Sequence, residues 1–134
     1  PLTSDDKDKE PCVRRDADQA RLKAWGEALG KFREDYMVPS WGPYLHLQYI
    51  GTHPDYQRRG AASLLMQWGL DLAREHDLWT GLFASPEGKF LYEHFGFETL
   101  GNVTVQVPGE VDKTEVTPMG KSPKEATAEE KSAL

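Results

Sequence analysis

The stretch Ile50-Gly51-Thr52-His53-Pro54-Asp55-Tyr56-Gln57-Arg58-Arg59-Gly60-Ala61-Ala62-Ser63-Leu64-Leu65 decides how this chain is read. Upstream of it, Tyr44-Leu45-His46-Leu47-Gln48-Tyr49-Ile50 alternates with period two over most of its length, which predicts a strand that stops at Gly51-Thr52-His53-Pro54. Downstream, Ala61, Leu64, Leu65, Trp68 and Leu72 recur at helical spacing until about His76 and predict a core-facing stripe. The order is therefore strand, polar arginine-bearing loop, helix. A helix start offers several unpaired backbone N–H groups and about half a unit of positive charge, which together favour a phosphate or pyrophosphate. Gly60 and the two alanines keep that approach unobstructed, and Arg58 and Arg59 add charge-assisted hydrogen bonds to phosphate oxygens. Spacing alone also allows a solvated turn before an ordinary amphipathic helix, because glycine and arginine are common in turns, and so does not decide. Two frequent nucleotide loops are absent: the Gly120-Lys121-Ser122 run has Glu115 where a P-loop needs its first glycine, and no G-x-G-x-x-G follows a strand.

Working outward, residues 1–16 are charged and polar with Pro1 and Pro11, and predict a flexible arm. From Ala17 the apolar positions Leu22, Trp25, Leu29, Phe32 and Tyr36 lie on one stripe of a helix that should end before Pro39. On the other side, Leu78 to Ala84 predicts a short buried strand, and Ser85-Pro86-Glu87-Gly88 opens a short helix through about His94, with Gly96 at its C-cap. Phe97 to Leu100 and Val103 to Val107 predict strand with a bend near Gly101, Thr114 to Met119 a last strand, and residues 120–134 a frayed Lys/Glu/Ala tail. Residues 17–119 are thus expected to form one mixed α/β unit, without internal repeats.

At 134 residues the chain fits a single core. A formal charge of -6 disfavours a general nucleic-acid or anionic-membrane binder. It also slightly favours a cationic partner through steering. The lone Cys12 forbids an intrachain disulfide, and the four histidines have no zinc-ligand spacing. No apolar run approaches the roughly 18 residues of a membrane span, and PLTSDDKDKE is the opposite of a signal peptide. A reducing compartment, cytoplasmic or nuclear, is the expectation, and the sequon Asn102-Val103-Thr104 then reads as accidental.

Residues Tyr44 to Glu98 resemble the core of the GCN5-related N-acetyltransferase (GNAT) superfamily, and HPDYQRRGAASLL resembles fungal members of unassigned substrate. The resemblance rests on three features in order. The family's acetyl-CoA loop, Gln/Arg-x-x-Gly-x-Gly/Ala, is matched by Gln57-Arg58-Arg59-Gly60-Ala61-Ala62. The strand end that hydrogen-bonds the pantetheine arm is matched by Ile50-Gly51-Thr52, and the helix with a tyrosine ahead of a Gly-Phe pair by Tyr92-Glu93-His94-Phe95-Gly96-Phe97. The resemblance implies a mixed, mainly antiparallel sheet flanked by helices and direct acetyl transfer from acetyl-CoA to a primary amine, either a small molecule or a lysine side chain.

In that scheme Tyr92 protonates the departing sulfur. A phenol with an ordinary pKa near 10 stays protonated at pH 7 and can donate to a developing thiolate. Ser85 would be a hydrogen-bond donor along the cofactor path, and Lys89 a charge near phosphate or adenosine. Outside the family context Tyr92 reads as a half-buried packing aromatic, and Ser85 and Lys89 as plain loop and helix-surface residues. No general base stands out: Gln48 cannot take a proton, a neutral His46 can, and His53, His76 and His94 read as solvated or locally satisfied.

Complete family members place a strand, helices and two more strands ahead of the strand matched here, whereas residues 1–43 supply one helix and no strand. The strand at Tyr44–Ile50 should therefore expose an edge. A companion N-terminal fragment or second chain pairing with it is expected, the chain being either a fragment cut in its arm or naturally short. Two other functions stay open: a non-catalytic CoA-binding or regulatory module, and a small scaffold whose Ala17–Tyr36 helix docks a partner.

Overall fold

The computed structural model describes residues 14–124. Most of the expected arm and tail lies outside that range. The first helix, α1, spans Gln19–Phe32, and Asp18 caps it, its Oδ1 accepting from the Ala20 and Arg21 N–H groups at 3.0 and 3.2 Å. The helical path does not stop before Pro39. It widens into a π turn at Arg33–Met37, where the Val38 N–H reaches back to the Arg33 carbonyl, and continues as α2, Val38–Trp41. Pro39 falls in the first turn of α2, where a missing N–H costs little, so the proline is absorbed rather than terminating the helix. Gly42, at φ 68°, then turns the chain into β1, Tyr44–Leu47.

A 3-10 turn at Pro54–Tyr56 leads to α3, Ala61–Glu75, followed by β2, Trp79–Ala84, and α4, Lys89–His94. Three strands close the sheet: β3, Glu98–Thr99; β4, Val103–Gln106; and β5, Lys113–Lys121. β5 continues past Met119, so Gly120 and Lys121 belong to the sheet and not to a tail. The spatial order is β1-β2-β5-β3, with β4 on the first half of β5. β1 and β2 run parallel, joined through α3, and every other pairing is antiparallel.

One face of the sheet carries the core. Met66 and Leu70 of α3 meet Leu82, Ala84 and Met119 of β2 and β5, with Phe95 and Phe97 closing the end and Leu47, Ile50, Leu91 and Tyr92 packed around them. The α3 stripe expected from spacing is the wrong one. Leu64, Leu65 and Trp68 are exposed, while Met66, Leu70 and Ala73 are buried. The helix carries two apolar stripes, and periodicity does not say which the sheet receives.

The opposite face is aromatic. Trp41 stacks on Trp79 with centroids 4.9 Å apart and planes 5° from parallel, and Phe32 meets Phe83 edge-on at 6.1 Å. Gly81 and Gly120 pair in register beneath the Trp41 indole, and a Cβ on either would fall 2.8 or 2.5 Å from it. α1 lies against β4 on this side and Arg21 pairs with Glu110 at 3.4 Å, yet no α1 residue is fully buried. The stripe of Leu22, Trp25, Leu29, Phe32 and Tyr36 is thus only half covered.

Candidate functional site

The site begins where two parallel strands part. The β1–β2 ladder ends at the Leu47–Leu82 pair; β2 continues to Ala84 while residues 48–50, expected as strand, leave the sheet. The chain then folds into a compact turn. His53 Nδ1 accepts from the Asp55 N–H at 3.2 Å, the Tyr56 N–H donates to the His53 carbonyl at 2.9 Å, and Gln57 Nε2 donates to the Thr52 carbonyl at 3.2 Å. Gln57 thereby ties the loop to the strand exit.

Arg58 at φ 62° and Gly60 at φ 83° are both in the left-handed region, which bends the loop sharply into α3. The first α3 bond runs from the Leu64 N–H to the Gly60 carbonyl, and no side chain caps this helix start. A Cβ on Gly60 would meet no atom within 4 Å, so the glycine serves backbone conformation and open approach, not packing.

These pieces line one cavity of about 460 Å³. Ile50, Gly51 and Thr52 form one side, Gln57, Arg58 and the Gly60-Ala61-Ala62 helix start another, and Ser85 and Tyr92 stand across from them. Two candidates are not in its wall. The Arg59 guanidinium lies 5.4 Å over the Tyr56 ring, and Lys89 Nζ is 3.6 Å from Glu93 Oε1 along α4. Three wall residues escaped the sequence reading: Ser63, Gly88 and Leu91. Ser63 completes the first helical turn. Gly88 sits where a Cβ would come within 3.3 Å of Tyr92 Cε2 and 3.4 Å of Ser85 Oγ, and its N–H donates to Ser85 Oγ at 3.2 Å. The Ser-Pro-Glu-Gly turn was visible in the sequence, but not its approach to Tyr92.

The cavity suits an anion. Arg58 is in its wall with no carboxylate among the lining residues, and uncapped N–H groups at a helix start stand beside a glycine-opened space. A diphosphate therefore fits this donor set, and the apolar Ile50 and Leu91 fit a less polar arm. Burial pushes the Tyr92 phenol above its ordinary 10, so it stays protonated across the neutral range.

A second cavity, about 270 Å³, lies on the aromatic side of the same diverging strands, between α1 and the sheet. His46 and Phe83 line it, their rings 5.9 Å apart, and Arg33 donates through Nε to the Tyr44 hydroxyl at 2.8 Å. Burial, with the Arg33 charge second, lowers the His46 pKa below its ordinary 6.5, so the imidazole is neutral at pH 7. Its Nδ1 is buried with no hydrogen-bond partner among the described residues. Among the described residues no group of three or more His, Cys, Asp or Glu side chains could hold a metal, and no helix is long and apolar enough to cross a membrane.

Residues 19–99 match the family model of the acetyltransferase (GNAT) domain. A curated protein named "Acetyltransferase" from Stachybotrys chartarum (strain CBS 109288 / IBT 7711) is 30% identical over 105 residues, covering 78% of this chain and 43% of that protein. The chain thus spans less than half the length of this relative. A crystal structure described as that of a "putative acetyltransferase from Agrobacterium tumefaciens" aligns with a TM-score of 0.49 and 14% identity, covering 85% of this chain and 99% of that one.

Proposed function

Because this chain belongs to the GNAT acetyltransferase family, we propose that it forms the acetyl-CoA-binding part of an N-acetyltransferase acting on a primary amine. The observation that carries the reading is convergence. The uncapped start of α3, Gly60 and Arg58 share one cavity with the parting strand end at Ile50–Thr52 and with Tyr92. Acetyl-CoA supplies an activated acyl thioester. The Ala61–Ser63 amides and Arg58 hold its diphosphate, the backbone at Ile50–Thr52 orients the pantetheine arm, and Ser85 donates a hydrogen bond along the same path. Tyr92 keeps a proton at its phenolic oxygen until a departing sulfur takes it. Arg59, set over the Tyr56 ring, and Lys89, paired with Glu93, make no direct contact with the diphosphate in this arrangement.

Thermal melting with acetyl-CoA tests this directly. Ligand at a hundredfold its dissociation constant adds about 2.7 kcal/mol to stability, and a melt unmoved by acetyl-CoA would sink the reading. A non-catalytic CoA-binding module would share that stabilisation but show no turnover for Tyr92→Phe to remove.

The same reading gives the sheet a further partner. Among the described residues β1 is an edge strand, paired only with β2, and exposed Leu65 and Trp68 flank an apolar groove of about 250 Å³ beside it. A strand from a companion segment, in this chain's longer relatives or in a second chain, covers that edge. Native mass spectrometry of the purified protein should show the chain with a companion or as a dimer at micromolar concentration. A stable, soluble monomer would remove the need for one.

A further inference from the structure

α1 contains two glycines one turn apart, Gly26 and Gly30, and both line the cavity on the aromatic side of the sheet. Glycine is the poorest helix former after proline, so its use in a helix interior needs a reason. Backbone conformation is not the reason, because neither residue has a positive φ. Close packing is not the reason either, because a Cβ on either would meet no atom of the described residues within 4 Å. What the missing side chains supply is width in one wall of the cavity, facing His46 and Phe83. Arg33 follows on the same helical face, three residues beyond Gly30. It is the one cation of the lining, which holds no carboxylate. Its Nε is engaged by Tyr44, leaving its terminal nitrogens, and among the described residues no carboxylate pairs with it.

We propose that this cavity is the acceptor pocket and that it selects a primary amine with an apolar or aromatic body that also carries a carboxylate. The carboxylate pairs with Arg33, the body lies between the Gly26–Gly30 wall and Phe83, and the amine faces the diverging strand ends at Gln48 and Tyr49. The inference rests on the acetyltransferase reading above. In the transfer, the neutral amine nitrogen bonds to the acetyl carbon and the carbon–sulfur bond breaks. The electron pair passes to sulfur, which takes the Tyr92 proton, and the proton shed by nitrogen returns to Tyr92 through solvent. The products are the N-acetyl amino acid and free CoA. A polyamine is a poor fit despite the net charge of -6, because no carboxylate in this cavity would hold a second ammonium. The local charge here is opposite to that of the chain.

The test uses the purified full chain with acetyl-CoA and three probe amines: L-phenylalanine, phenethylamine and spermidine. The expected kcat/KM for phenylalanine is at least tenfold above either other probe. Arg33→Gln should erase the difference between phenylalanine and phenethylamine. Gly30→Leu should lower kcat/KM for phenylalanine at least tenfold while the CoA dissociation constant stays within twofold and the melting temperature does not fall. Equal use of the three amines, preference for spermidine, or CoA binding with no turnover of any probe would overturn the acceptor assignment and leave the cofactor reading standing. Failure of CoA to bind would instead overturn the reading on which the inference rests.

Discussion

Gly120→Ala adds a single methyl group at a position that cannot take it. The new Cβ would lie 2.5 Å from Trp41 Cζ2 and 2.6 Å from Cη2, against an ordinary carbon–carbon contact of about 3.5–4.0 Å, so the indole must move by about 1 Å. It has little room, being stacked on Trp79 and edge-on to Tyr44 at 5.3 Å. Overpacking costs about 1–3 kcal/mol and the disturbed aromatic contacts about 0.5–1.5 kcal/mol. Alanine in a strand recovers about 0.5–1 kcal/mol relative to glycine. The net expectation is a loss of about 1–3 kcal/mol, read as a lower urea midpoint at unchanged slope. The decisive measurement repeats the substitution in a Trp41→Leu background, where the obstruction is gone. There alanine should be neutral or stabilising, giving a coupling of at least about 1 kcal/mol. An equal cost in both backgrounds would show that Trp41 is not what excludes the methyl group.

The remaining predictions concern the site. Gly60→Ala forces a side chain into the left-handed region at φ 83°, so it should cost about 1–2 kcal/mol of stability and weaken acetyl-CoA binding at least tenfold by calorimetry; unchanged affinity would place the diphosphate elsewhere. Tyr92→Phe should lower kcat by roughly 10²–10⁴ with the CoA dissociation constant within twofold. Because burial raises the phenol, any alkaline loss of wild-type activity traceable to Tyr92 should have its midpoint above pH 10, and a Tyr92-dependent midpoint below 10 would contradict this. For His46 the folded pKa lies below the unfolded 6.5, so below pH 6.5 the unfolded chain binds more protons and stability falls with acidification. The stability of wild type relative to His46→Leu should therefore fall as the pH drops from 7 toward 5, whichever is the more stable at pH 7, and a difference independent of pH would count against the buried, neutral imidazole.

The parts of the fold that were legible in the sequence are those in which a local pattern and a tertiary demand coincide. The strand–loop–helix order around Gly60 is one: a glycine before α3 suits the left-handed turn, and the helix it opens is long and regular. The passage through Pro39 was not legible, because a π turn shifts the hydrogen-bond ladder and moves the proline to a first-turn position. Nor was the α3 core face. Leu64, Leu65 and Trp68 are larger and more apolar than the Met66, Leu70 and Ala73 set, yet the sheet takes the latter. The cradle residues follow one another in the chain, so most could be named in advance. The acceptor cavity could not be, because Gly26, Gly30, Arg33, His46 and Phe83 come from four elements, α1, the π turn, β1 and β2, and meet only in three dimensions. Arg59 and Lys89 show the converse limit. Charge near a site in sequence says little when Tyr56 or Glu93 offers a nearer partner.

β5 is paired to β4 along its first half and to both β2 and β3 along its second, and it is the last of the described strands in chain order. Before it arrives, the only pairing available among the described strands is β1 with β2. During synthesis both long helices and β1 to β4 are therefore made before the strand that β2, β3 and β4 share. This unit should gain its protease resistance in one late step, when β5 threads between its waiting neighbours.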